Sequence, residues 1–292
     1  MTDPVTLSAH DARIELDGSV ACERVSCDAS GSRIVLAAGA SPALAAALAG
    51  RATVTAGALT LDGLDVAASS HFGHVGIAPL DPPVPRTQHV VRWVALSFLI
   101  AGYTQREAER SARRVLEELG LQGLASRRMD ALALAERRAV AIAQAMIPGA
   151  RALFAEAPLS SLEPAAASYV LRVLAAACAS RAVVTTASRT DPLAPERDLL
   201  LGADHLVLFS GEAAAWQGDP AELLRSDLPL LLLQVQGDTH SFLAAARQAS
   251  FEIQGDPPRI LVRLPEGVPR SRLLEIAASC DAVILELIPV WP

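Results

Sequence analysis

The 292-residue chain contains no lysine; its 25 basic residues are all arginine. A glycine-rich loop that cradles the β- and γ-phosphates of a nucleotide uses a lysine ammonium there, with glycines that let backbone N–H groups approach. No register of this sequence supplies that lysine. Positive charge is also outweighed, with a formal net charge of −7 and a pI near 5.4, which argues against the basic footprint of a nucleic-acid binder. Cysteine is sparse, at four residues. Cys22 and Cys27 have no histidine or cysteine partner nearby and read as ordinary thiols of a reducing compartment. Aromatics are scarce too, at 4%. The longest apolar stretch, Val94 to Tyr103, is half the roughly 20 residues a membrane span needs, and no basic-then-apolar leader opens the sequence. The expectation is a soluble protein.

What is present is a hydrophobic content of 51%, enough for a large core, one large domain and a small one. Residues 12–66 read as short β segments, with Ile34–Ala38 a continuous apolar run suited to a buried strand. From Arg86 to Met146 the pattern is helical. Thr104 and Glu107 form a capping box, Ala108, Ala112, Val115, Leu116 and Leu119 follow at helical spacing, and Gly120 stops the helix. A strand at 151–155, a helix at 165–179 and strands at 182–186 and 205–209 complete a βαβ layout. Beyond Asp227 the order is β-α-β-β-α-β, ferredoxin-like; the alternative is an irregular tail.

The stretch from Ala152 to Pro164, Ala-Leu-Phe-Ala-Glu-Ala-Pro-Leu-Ser-Ser-Leu-Glu-Pro, resembles without a gap the LLLLDEPTSGLDP segment of ATP-binding-cassette (ABC) ATPases. Pro158, Ser160, Leu162 and Pro164 keep the framework. Glu156 stands where the family has its metal-directing Asp, and Ala157 where it has its catalytic Glu. The likeness covers roughly residues 12–225 and is similar above all to exporter-type subunits with a small C-terminal domain. It implies an α/β, P-loop NTPase-like ABC ATPase core with antiparallel β and helical subdomains, plus a small α+β, ferredoxin-like domain. The boundaries expected are 1–226 for the core, with its helical lobe at about 86–147, and 227–292 for the small domain.

Against the family's pattern, Gly39 to Gly50 replaces the phosphate-binding loop and first helix. Ser41 followed by Pro42 reads as an N-cap and first helical residue. An open helix N-terminus would bind phosphate; this one is expected to cap itself. Leu80 takes the place of the Q-loop Gln. Leu132–Glu136 matches the LSGGQ signature with Leu134 and Ala135 for its glycines, and Glu136 would bring a carboxylate toward phosphate. Ala187 replaces the switch His. Residues 11–33 lack the aromatic that stacks on adenine in the family. His71 and His74 read as surface histidines.

Phosphoryl transfer rests on positioning and charge stabilisation, so these substitutions lead to the expectation of no enzyme, no cofactor and no metal. The reading is a scaffold or regulatory subunit of a membrane export or envelope complex, peripheral on the cytoplasmic face of the inner membrane. Its expected partners are a membrane permease-like subunit and a second ABC ATPase subunit, with no nucleic acid. The alternatives are a freestanding interaction protein and a weak divergent ATPase. Trp93, Phe98 and Tyr103 are the interface candidates, against the simpler reading that they pack the helical lobe.

Overall fold

The computed structural model describes residues 2–68, 71–188, 190, 194–223, 228–255 and 257–291. The chain opens not with short strands but with two long ones, β1 (Val5–Leu16) and β2 (Ser19–Gly31), paired antiparallel. Burial in β1 alternates: Val5, Leu7, Ala9, Ala12 and Ile14 face inward. The slip from Ala9 to Ala12 marks a bulge at Asp11, whose φ is 46°, and the bulge lets one strand continue where two segments would be read.

β3 (Arg33–Ala37) and α1 (Ser41–Leu48) follow, then β4 (Thr53–Leu61), β5 (Leu64–Asp65), α2 (His71–His74) and β6 (Val75–Ala78). The helical lobe is α3 (Val90–Ile100), α4 (Gln105–Glu118) and α5 (Leu134–Ala145). Thr104 caps α4 as expected: its Oγ accepts the Glu107 N–H, and the Glu107 carboxylate accepts the Thr104 N–H at 3.0 Å. The five apolar positions read for this helix and its approach are buried, and Gly120 ends the turn at φ 71°. β7 (Ala152–Ala155), α6 (Pro164–Cys178), β8 (Ala182–Ala187), α7 (Arg197–Leu201), β9 (His205–Ser210), β10 (Ala213–Gly218) and α8 (Pro220–Leu223) complete this part. Its sheet runs β5-β4-β1-β2-β10-β9-β3-β8-β7-β6, with β3, β8, β7 and β6 parallel. Parallel strands buried on both faces need continuous apolar runs, and β7 and β8 are buried at every position.

β11 (Leu230–Gly237), α9 (Thr239–Gln248), β12 (Glu252–Gln254), β13 (Arg259–Arg263), α10 (Ser271–Ser279) and β14 (Ala282–Trp291) form a second, antiparallel sheet in the order β12-β13-β11-β14. Phe242, Ala246, Leu273 and Ile276 cover one of its faces. Leu230, Leu232 and Leu261 of the other face join Leu206 and Leu208 of β9 in one apolar cluster, so the small sheet leans on the large one. The boundary expected at 226/227 lies outside the described residues.

Candidate functional site

Glu156 directly follows the last residue of β7 and is 9% exposed. Its N–H donates to the Ala78 carbonyl at 2.9 Å. One carboxylate oxygen pairs with the Arg51 guanidinium, and the other accepts the Leu80 N–H at 3.1 Å. The next residue, Ala157, has φ 36° and donates its N–H to Thr186 Oγ1 at 2.8 Å. Arg51 enters from the turn after α1, where its own N–H is fixed by the Ala46 carbonyl at 2.8 Å. Sequence reasoning missed it: an isolated arginine in an alanine-rich turn carries no signal for a partner 105 residues away.

Between β3 and α1, Ala38 and Gly39 have φ of 59° and 40°. A Cβ on Gly39 would stand 2.4 Å from the Gly211 carbonyl oxygen and 2.7 Å from Phe209 Cβ, so only glycine lets the loop lie against the β9–β10 turn. The expected cap is corrected here. Ala40 is the N-cap, no side chain caps the helix, Ser41 is its first residue and Pro42 its second. The left-handed pair turns the chain so that the Ser41 N–H closes onto the Ala38 carbonyl at 2.9 Å, which leaves the Ser41 side chain inside, 2% exposed. Ala187, fully buried at the end of β8, accepts the Ala38 N–H at 3.1 Å and ties this loop to the neighbouring strand.

The link to the helical lobe is Arg138 of α5, 4% exposed. Its Nε donates to the Leu80 carbonyl at 3.3 Å, and its Nη1 to the carbonyls of Pro158, at 3.2 Å, and Ser160. Burial pulls the guanidinium below its ordinary pKa, with the charge of Asp81 acting against the shift; an arginine stays charged in any case. At the start of α5, Leu134 is half-buried. Glu136 does not reach outward: its carboxylate accepts the Ala133 N–H at 2.8 Å and pairs with Arg127, satisfying a donor of its own helix end.

The structure thus joins Leu80, Glu156 and Ala157 at adjacent strand ends, sets Gly39, Ser41 and Ala187 beside them, and keeps Leu134 on the lobe. Both oxygens of Glu156 are engaged and the Ser41 side chain is buried, so these residues as placed do not fit a magnesium ion on a nucleotide phosphate. No group of three or more metal-ligating side chains occurs among the described residues. Cys22 and Cys27 are buried, and burial pushes their thiols up to about 11 and about 12, helped by Glu212 and Asp28 respectively. His74 is exposed; the side chain of His71 lies outside the described residues.

Of the interface candidates, Phe98 is in the lobe's core, 5% exposed, and meets Tyr103 edge to face at 5.7 Å. Trp93 is half-buried against the same core. Tyr103 is 39% exposed, and Ile100 beside it, which the sequence reading passed over, is 89% exposed. Ile100 ends the apolar run of α3 but lies off the face that Val90, Val94 and Phe98 bury, and that helical offset was the available signal. No helix of the described residues is long and apolar enough to cross a membrane.

No protein-family model matches the chain. The phosphonates import ATP-binding protein PhnC of Anaeromyxobacter dehalogenans is 34% identical over 130 residues, 44% of this chain and 25% of that protein. The lipoprotein-releasing system ATP-binding protein LolD 2 of Caulobacter vibrioides is 36% identical over 90 residues, 31% of this chain and 40% of that protein. The Fe(3+) ions import ATP-binding protein FbpC of Streptomyces coelicolor is 25% identical over 277 residues, 92% of this chain and 76% of that protein. The chain therefore spans well under two thirds of the first two. Its homologues are ABC transporter ATP-binding subunits. Solved structures agree on the ABC fold: cbiO1 from Clostridium perfringens superposes with a TM-score of 0.63 at 16% identity, covering 75% of this chain and 90% of that one. The ATP-binding cassette MJ1267 gives 0.61 at 16% identity, covering 76% and 93%.

These ABC relatives overturn one expectation. The chain was expected to be no enzyme, but the proteins it matches are named as ATP-binding proteins of import and release systems. Nothing in the comparisons sets it apart from them as inactive. Their names also divide between import and lipoprotein release, so an exporter type is not what they share.

Proposed function

We propose that the chain is an ABC-type ATP-binding subunit of a membrane transport assembly and serves there as a scaffold or regulator of a permease-like partner. In this reading residues 1–226 form the core, about 86–147 its helical lobe, and 227–292 an appended unit. The subunit sits peripherally on the cytoplasmic face of the inner membrane. The observation that carries the proposal is the three-carbonyl fork of Arg138. It ties α5 of the lobe to the segment after β6 and to the segment after β7, so a push on the lobe is felt at Leu80 and Glu156. Discrete packed networks of this kind carry coupling between sites when they have two arrangements.

Docking is assigned to the end of α3, where Ile100 and Tyr103 offer an exposed apolar pair. Apolar and aromatic side chains are the usual anchors of interfaces. Co-purification of the tagged full chain from membranes tests the reading, with Mg-ATP binding and turnover measured on the same complex. Recovery of a polytopic membrane protein supports it; a chain recovered alone from the soluble fraction favours a freestanding protein.

A further inference from the structure

On the face of the large sheet covered by α6 and α7, away from Glu156, a cavity of about 100 Å³ opens between β3, β8 and the two helices. Val35, Val183, Leu171 and Leu174 make its walls apolar. Thr185 of β8 lines it and is 2% exposed. Its Oγ1 is buried and has no hydrogen-bond partner among the described residues. A buried hydroxyl without a partner keeps its desolvation cost until something bonds to it. The neighbouring Thr186, which points to the opposite face, has a partner in the Ala157 N–H.

We infer that this cavity is a binding site for a small neutral molecule: one ring, or a short branched chain, bearing a single hydroxyl that bonds to Thr185 Oγ1. Size sets the first limit: the volume is about two thirds of the roughly 150 Å³ apolar cavity that encloses benzene, and because this one is open at its mouth a single ring seats with one edge outward. Charge sets the second. Arg33 stands at the mouth, but its guanidinium is held by Asp204 at 2.8 and 3.2 Å. Asp198 at the same mouth disfavours an anion. Polarity sets the third: one unpaired hydroxyl in an apolar wall selects a ligand with one matching polar group. Nothing in this site overlaps the residues placed at the ABC nucleotide position.

Phenol and benzene are the probes, titrated into the full chain and followed by ligand-observed NMR. Both bind saturably. Thr185→Val, nearly isosteric, lowers the phenol-to-benzene affinity ratio about tenfold, the worth of one neutral hydrogen bond at its upper range. Ala175→Trp, at an exposed position on the cavity's rim, abolishes binding of both probes without touching the core. A structural role for Thr185 would move both affinities together and leave the ratio unchanged. That result, no saturable binding of either probe, or binding that survives Ala175→Trp, overturns the assignment.

Discussion

Arg51 and Glu156 form an ion pair that closes 105 residues of chain onto the end of β7, and the same carboxylate holds the Leu80 N–H. The carboxylate is 11% exposed and the guanidinium 50%, so the two ends of the pair are unequal. Arg51→Ala is expected to cost about 1 kcal/mol, since a half-exposed partner is screened by water. Glu156→Ala costs more, about 2 kcal/mol, because it also strands a backbone N–H. The double variant costs less than the two singles added. Urea unfolding of the four proteins of this cycle measures each term.

Arg138 gives a larger effect. Arg138→Met leaves the carbonyls of Leu80, Pro158 and Ser160 without their donor and is expected to destabilise by about 3 kcal/mol. Arg138→Lys keeps the charge but not the planar fork, and recovers less than half of that loss. Hydrogen exchange separates coupling from general loosening. Amides around Leu80 and in the segment after β7 should exchange faster in both variants, while those of β11 and β13 stay protected.

His205 opens β9, and the Ser30 N–H reaches its Nδ1 at 3.5 Å. Nδ1 is then an acceptor and Nε2 carries the proton. Burial holds the imidazole below its usual value near 6.5. A depressed folded-state pKa means that the unfolded chain binds the proton more readily. The stabilisation is therefore complete above about pH 6.5 and is lost as pH falls through the folded value. His205→Gln, which keeps an acceptor but does not titrate, should flatten the decline in unfolding free energy between pH 7 and 5.5.

Much of the frame was legible because it is written in local signals. The capping box at Thr104, the apolar runs of β3, β7 and β8, and the strand–helix alternation after residue 228 each depend on neighbours in sequence. The ABC likeness was legible for a similar reason, through Pro158, Ser160, Leu162 and Pro164 at fixed spacing. The site was less so. Ser41-Pro42 has the composition of a capped helix start, yet the left-handed turn at Ala38–Gly39 advanced the helix by one residue and buried the serine. Glu136 looked outward in sequence and folds back onto its own helix. Arg51 and Arg138 act through partners far along the chain. The inference from missing motif residues to a missing activity failed against the relatives, whose names carry ATP binding.

The proposal of a permease-like partner is tested most directly by one measurement, the share of the chain recovered with membranes. Trp93 is unsuited to it, because a charge there would be forced into the lobe's core. Ile100, 89% exposed, can be changed without cost to folding. The wild-type chain is expected to sediment with membranes and to bring down a polytopic protein. Ile100→Glu should remain folded, with an unaltered unfolding midpoint, and shift to the supernatant. A wild-type chain found wholly in the supernatant, or a folded Ile100→Glu variant that stays with the membrane as fully as wild type, would contradict docking through the end of α3.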